Sequence, residues 1–399
     1  MTARTATRAS GVSSSLERTA PVSRLGTGWE GTVLFLIAMA LLSFGLVMVY
    51  SASAVMAQGM GLPGHYFVER QAAGGAVGLV VLAAVAQLDY RHLRRLAWPL
   101  LAIVVVSLLV IVLPGIGALA PTVNGARRWL VVGPVRVQPS EAAKLVLVIW
   151  TAALAVKKQE DLHSLSRGLM PFLLVWGLVA GLILLEPNMS TALLTVMLAA
   201  LVVYAAGARI GHFLMLAVLG FPLVWTQISQ VGYRFRRLVA FMDPARDPAG
   251  MSYQINQALI ALGSGGVLGR GFGQGQQKFG FLPEPHNDFI LAIIGEEWGL
   301  LGLVFIVVLF GAFALVGYRV ARQAPDLFGS LLAAGATNLV VIQALLHMAV
   351  NLALLPTTGV TLPLVSYGRS SLIISLAAVG VVISVARVSD RQRRAGGVA

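Results

Sequence analysis

Ten stretches of this chain are apolar enough to leave water: near 31–50, 71–88, 96–113, 141–156, 169–186, 190–206, 212–229, 288–318, 328–353 and 371–387. A helix needs about 20 mostly apolar residues to cross a bilayer. Hydrocarbon offers no partner to a backbone N–H or C=O, so only helices and closed barrels satisfy those groups there. The runs therefore set the fold class: an all-α polytopic membrane protein of about ten transmembrane helices. Composition agrees, since 57% of the 399 residues are hydrophobic and 11% are charged, against about 25% charged in soluble domains. Mean hydropathy is +0.83. No internal repeat of fixed period is visible. The chain has no cysteine, which excludes disulfides, thiolate nucleophiles and thiolate metal sites.

A net charge of +13 is compatible with a nucleic-acid partner. Much of that charge lies in short loops beside apolar runs, so none is expected. Lys and Arg favour cytoplasmic loops. On a ten-span plan 17 of the 29 basic residues fall on one side, with both termini, and that side is expected to be cytoplasmic. Residues 1–29, rich in Ser, Thr, Arg and Gly, read as a disordered tail without a signal-peptide pattern. Residues 30–387 form the membrane domain and 388–399 a second cytoplasmic tail.

The other 12 basic residues gather at the outer face. Arg127, Arg128, Arg136 and Lys144 lie in or beside the loop at 114–140, and Arg234, Arg236, Arg237, Arg246, Arg270 and Lys278 in a long loop at 230–287, with Arg70 and Arg369 besides. Long outer loops tolerate such charge; alternatively it forms an anion site, because Arg and Lys are the usual partners of phosphate. The long loop is not disordered by composition. "DPARDPAG" is a pair of Asp-Pro turns, and "SYQINQALIAL" fits a short amphipathic helix at the interface. "GSGGVLGRGFGQG" lacks a Walker pattern, so its glycines are read as allowing close backbone packing rather than cradling a nucleotide.

That loop ends in "FLPEPHNDFILAIIGEEWG", residues 281–299. Pro283 and Pro285 keep Glu284 out of a helix interior, so the span is expected to begin near Asn287 or Asp288. Asp288 would then sit in the first turn, where it fits equally a helix cap and a catalyst. Glu296 and Glu297 fall about 12 Å deeper, at 1.5 Å per residue, and on other faces. Ionisable groups at that depth need a cavity or a partner; Glu186, Asn188, Lys144 and His347 are the candidates.

Six motifs occur in order: "VYSAS" (49–53), "GARRWLVVGPVRVQPSEAAKL" (125–145), "EPNMSTALL" (186–194), "RRLVAFMDPARDPAGMSYQ" (236–254), "GQQKFGFLPEPHNDFILAIIGEE" (275–297) and "LLPTTGVTLPLVSYGRSS" (354–371). With the ten-span plan they make the chain resemble the SEDS family (shape, elongation, division and sporulation) of peptidoglycan glycosyltransferases, over about residues 30–387. "IIGEE" and "FMDP" look more like the division branch than the elongation branch. The chain departs from the family at Asn188, often Asp, Ser190, often Gly, Asn287, usually Thr, Trp298, commonly Leu, and Arg369, usually Gly.

The resemblance implies polymerisation of lipid II into glycan at the outer membrane face during septal wall synthesis. The partners it implies are lipid II, the growing lipid-linked glycan, a class B penicillin-binding protein acting as transpeptidase, and other division-complex membrane proteins. Asp288 matches the family's essential aspartate. One base suffices for such chemistry, because pyrophosphate leaves readily when positive charge receives it. Loop Lys and Arg, Arg237 and Lys278 among them, or a divalent cation (Mg or Mn), would hold the pyrophosphate. Arg128 and Trp129 match the family's "RW"; Arg128 would meet phosphate, while Trp129 also fits an interface anchor. Gln138, Glu141 and Lys144 fit a polar network, or Glu141 and Lys144 a plain i, i+3 ion pair. Glu284 and His286 would shape the site. Ser366, Tyr367 and Ser370 would line the cavity, with a helix cap as the other role for Ser370. Three other readings compete: a lipid flippase or transporter, a non-catalytic division scaffold, and an elongation role within the family.

Overall fold

The computed structural model describes residues 28–396 apart from 116, 118, 124, 134, 244–249 and 251. Among the described residues twelve α-helices follow in chain order: α1 (Trp29–Gly59), α2 (Tyr66–Gln87), α3 (Arg91–Val112), α4 (Pro139–Lys157), α5 (Met170–Leu185), α6 (Met189–Ala205), α7 (Ile210–Ser229), α8 (Gly232–Met242), α9 (Tyr253–Gly265), α10 (Ile290–Gln323), α11 (Leu327–Asn351) and α12 (Arg369–Gly396). Among the described residues nine helices are long and apolar enough to cross a membrane, and α6, with 17 residues, is a shorter apolar helix between two of them. The chain is a polytopic membrane protein with helices at all ten expected places. Between α3 and α4 it forms two small antiparallel hairpins: Thr122–Val123 with Ala126–Arg127, and Leu130–Val132 with Val135–Val137. The all-α expectation had no place for them.

α4, α11 and α12 form the centre of the bundle. Lipid is as apolar as Leu, so helices in it associate through close packing and internal polar bonds. Both occur here. Gly45 of α1 lies against the backbone of Val365, where a Cβ would come within 2.6 Å of the Val365 Cα. In the centre Lys144 pairs with Glu141 at 2.8 Å and donates to Gln343 at 2.7 Å. Gln343 in turn donates to the Thr361 carbonyl at 3.1 Å and to Ser371 at 3.2 Å.

The connections alternate between two ends of the bundle. One end gathers the hairpins, the long loop and the segment between α11 and α12. At the other, Tyr90 bonds Asp326 at 2.5 Å, Arg319 pairs with Glu30 at 3.1 Å, and Ser384 bonds the Leu88 carbonyl at 2.6 Å.

α10 departs most from expectation. Its 34 residues would span about 51 Å if straight, well beyond the ~30 Å hydrocarbon core. It is broken at Gly299, whose φ of 63° and ψ of −156° are not helical. Loop residues occupy the ladder positions the break releases: Arg270 N donates to the Glu296 carbonyl at 2.9 Å, Gly271 N to the Glu297 carbonyl at 3.0 Å, and Leu300 N to the Gly266 carbonyl at 2.9 Å. Such an approach needs bare backbone. A Cβ on Gly265 would strike the Gly295 carbonyl, and one on Gly269 the Glu297 carbonyl. The glycines therefore serve backbone packing, as their sequence context suggested. α9 is the expected amphipathic helix, and it buries Ile255, Ala258 and Ala261 in packing beside α10.

The expected tail at 388–399 is helical through Gly396. Val388 and Ser389 are buried, and Arg393 pairs with Asp390 at 3.3 Å one turn back, so nothing ends the helix at 387. Residues 397–399, most of the expected N-terminal tail (1–27), and most of the Asp-Pro turns (244–249), with Arg246, lie outside the described residues.

Candidate active site

Asp288 is two residues short of its helix. α10 begins at Ile290, and its cap residue is Phe289, which makes no side-chain cap bond. The expected start at 287–288 is thus two to three residues early, and the cap reading of Asp288 falls. Asn351, the last residue of α11, does that work instead. Its Oδ1 accepts from Ala292 N at 3.2 Å, and its Nδ2 donates to the Asp288 carbonyl at 3.1 Å. A buried side chain from another span thus caps α10 and fixes the Asp288 main chain. The carboxylate is released from capping, and its Oδ1 is shielded from solvent without a hydrogen-bond partner among the described residues.

The turn carrying Asp288 is clasped from three sides. Tyr367 N donates to the His286 carbonyl at 2.9 Å, and Ser366 Oγ donates to the Asn287 carbonyl at 2.8 Å. Gln71 of α2 reaches across, donating to the Ser366 carbonyl at 2.8 Å and accepting from Gly368 N at 3.0 Å. The His286, Phe67 and Tyr367 rings pack together at 4.7–5.3 Å. Glu284, between two prolines, is held at φ 51°, a conformation that costs a non-glycine residue about 1–2 kcal/mol. Backbone strain of this kind concentrates at functional sites.

Charge converges on the same point. Burial, and then the nearby Glu284 carboxylate, push Asp288 up to about 7, while Arg237 and Arg128 pull the other way. Burial also raises Glu284 and lowers His286 to about 4, which keeps that ring neutral near pH 7. Arg128 is aimed by two carbonyls at the end of α5, Glu186 O at 3.1 Å and Pro187 O at 2.5 Å. Arg237, on α8, donates to the Thr357 carbonyl at 3.4 Å. The two arginines thus come from a hairpin and a loop helix and flank one carboxylate. Glu186 is a second buried acid beside Arg128. Burial raises it to about 8 against the opposing pull of Ser140 and Arg128. Sequence reading cast Glu186 only as a partner for deeper charges; its place at the head of "EPNMST" was the available signal.

The remaining candidates divide. Trp129 is half-buried beside Arg128. Gln138 N donates to Ser370 Oγ at 3.0 Å, tying the start of α4 to the start of α12, so Ser370 is no cap. Glu141 and Lys144 are the ion pair of the central network. Lys278 is a correction. It lies 5% exposed and bonded to Glu297 at 2.7 Å and Ser51 at 3.0 Å, and is unavailable to a ligand. The deep carboxylates find other partners than the four expected. Glu297 takes Lys278, Ser51 at 2.7 Å and Gly273 N at 3.1 Å, and Glu296 takes Gln276 N at 2.7 Å and Gln277 N at 3.2 Å. Those two acids staple the loop to α10. Of the family departures, Trp298 stacks edge-on against Phe44 at 5.4 Å, and Arg369 is half-buried with its stem against Gly74.

A divalent cation would find two hard oxygen donors here, Asp288 and Glu284, which suits Mg or Mn. Among the described residues no group of three or more His, Asp or Glu converges, so phosphate oxygens of a ligand would complete its shell.

A half-buried carboxylate under the charge of two arginines, at the mouth of a helical membrane bundle, can be compared with known proteins. The FtsW, RodA and SpoVE family of cell cycle proteins matches residues 32–391. The chain belongs to this family. A probable peptidoglycan glycosyltransferase FtsW of Geobacter metallireducens is 41% identical over 353 residues, covering 88% of this chain and 93% of that protein. Among solved structures, a chain of a peptidoglycan synthase complex that coordinates polymerization and crosslinking superposes with a TM-score of 0.72 at 28% identity, over 92% of this chain and 99% of that one. The rod shape determining protein RodA of Thermus thermophilus gives 0.63 at 27% identity, over 91% and 98%. These solved structures share the fold over nine-tenths or more of this chain.

Proposed function

We propose that this protein is a peptidoglycan glycosyltransferase that polymerises lipid II at the outer face of the cytoplasmic membrane, in septal wall synthesis. The observation that carries the reading is the Asp288 carboxylate, half-buried with its Oδ1 shielded from solvent, uncommitted to a cap, and within reach of the charges of Arg128 and Arg237. A hydroxyl of one lipid-linked sugar gives its proton to Asp288 as its oxygen attacks the anomeric carbon of the growing chain. The bond from that carbon to the diphosphate breaks, and its electrons leave on the undecaprenyl pyrophosphate. Arg128 and Arg237 offset the charge that develops there. A pKa near 7 suits a general base at physiological pH, and attack from the face opposite the leaving group inverts the configuration. A bound Mg or Mn would add further charge neutralisation at the diphosphate.

The division role rests on relatives named FtsW at about 40% identity. The partner expected from the synthase-complex likeness is a class B penicillin-binding protein, alongside other division-complex membrane proteins. Both termini face the cytoplasm, as the distribution of basic residues indicates.

The test is polymerisation by the purified protein with that partner, its transpeptidase inactivated, on supplied lipid II. Wild type should make glycan chains, and Asp288→Asn should lose about 10²–10⁴-fold in rate, the usual contribution of a general base. Undiminished polymer from Asp288→Asn would overturn the site. Lipid movement without polymer from wild type would favour a transporter.

A further inference from the structure

At the end of the bundle opposite Asp288 lies a small cavity of about 140 Å³, lined by Arg94, Trp98, Trp150, Ala153, Leu154 and Lys157. Helical spacing builds it. Arg94 and Trp98 are one turn apart at the start of α3, and Trp150, Leu154 and Lys157 follow at i, i+4 and i+7 at the end of α4. α4 carries the Gln138 junction at one end and this cavity towards the other, where Trp150 and Lys157 lie about 18 and 28 Å away at 1.5 Å per residue. The cavity therefore does not belong to the Asp288 site.

Three features are unexplained by the fold alone. Arg94 and Lys157 are exposed and make no ion pair among the described residues, although their neighbours Arg91 and Lys158 pair with Asp326 and Asp161. The indole of Trp150 is 1% exposed, and its Nε1 donor has no hydrogen-bond partner among the described residues. A buried donor without an acceptor costs about 1–3 kcal/mol. Trp98 stands 61% exposed, its ring edge-on to Trp150 at 5.5 Å. Two cations and an indole whose N–H is unsatisfied thus line one cavity at the end of two spans, and an apolar wall of Trp98 and Leu154 leads from them along the helices. An occupant needs an acidic oxygen head and an apolar tail. At interfacial depth, where Trp gathers and anionic lipid attracts basic residues, that describes a membrane lipid.

We propose that this cavity binds the phosphate of an anionic glycerophospholipid, with Arg94 and Lys157 taking the charge, Trp150 donating to a phosphate oxygen and one acyl chain lying along Trp98 and Leu154. The site is independent of the glycosyl-transfer reading.

Phosphatidylglycerol and phosphatidylcholine, added to the delipidated full chain, serve as probes, with retained lipid counted by native mass spectrometry. Wild type should keep one phosphatidylglycerol per chain in preference to phosphatidylcholine. The double variant Arg94→Ala/Lys157→Ala should lose that retention at least tenfold. Trp150→Phe, which keeps a ring against Phe172 and Trp98 but removes the donor together with part of the indole, should lose it several-fold. Arg95→Ala removes the same charge one residue away, outside the cavity, and should retain lipid as wild type does. Phosphatidylglycerol should also raise the melting temperature of wild type and not of the double variant. Equal retention by wild type and the double variant, equal retention of the two lipids, or an equal loss in Arg95→Ala would each overturn the site.

Discussion

At the scale of single residues, the proposed base is defined by what surrounds it. The charges that set Asp288 have opposite signs, so the rate of polymerisation should report them. Asp288 must be ionised to accept a proton, so the rate should rise with pH through a midpoint near 7 and fall away below it. Glu284 raises that midpoint and Arg237 lowers it. Glu284→Gln should therefore shift the pH–rate curve to lower pH, and Arg237→Gln to higher pH, with the single-turnover rate as readout. Identical curves for all three proteins would remove Asp288 as the titrating group. The Lys278–Glu297 pair makes a different demand. Lys278→Met strands a buried carboxylate and should cost about 3–5 kcal/mol, while Lys278→Met/Glu297→Gln should recover much of it; thermal melting in detergent separates the two. The place of Asp288 before an apolar run left it open between cap and catalyst, and only the family motif singled it out as a base. The role of Lys278 was not legible, because a lysine in a hydrophilic loop gives no sign in sequence that its ammonium is buried against a glutamate 19 residues on.

Among the elements, α10 explains most of what the sequence did not disclose. Its apolar run is easy to see and its break is not, since Gly299 looks like any other glycine of a membrane helix. The only warning was length, because the run continues past what one span needs. Asn351 was equally hidden: it ends α11 and caps α10, a relation that exists only once the two helices are side by side. By contrast α9 announced itself through its amphipathic pattern. The break has an energetic signature. Gly299→Ala places a Cβ against Gly269 on a positive-φ backbone that glycine alone adopts readily, at about 1–3 kcal/mol for the conformation alone, and more for the collision. Gly311→Ala, on the same helix with nothing within 4 Å of its Cβ, should be neutral or stabilise by about 0.5–1 kcal/mol. Equal melting temperatures for the two variants would mean that the break is absent from the protein in detergent.

For the whole molecule, the spans could be read because lipid leaves a backbone so few choices, and the same constraint makes orientation testable. With no native cysteine, single-cysteine variants label cleanly. Gln274→Cys, at the Asp288 end, should react with a membrane-impermeant maleimide in intact cells, and Glu160→Cys, at the other end, only after permeabilisation; the reverse pattern would invert the topology. The assembly of the Asp288 end carries one more implication. Residues 266–278 are pinned to the stretch 296–301 at successive points, first through main-chain bonds and then through the two glutamates. This part of the loop consequently has a register, as a strand has against its neighbour. Long surface loops ordinarily absorb insertions at little thermodynamic cost, but here one extra residue between Gly271 and Gly273 would move Gly273, Gln276 and Lys278 off their acceptors together, and the length of this segment is as much a part of the fold as the length of any helix.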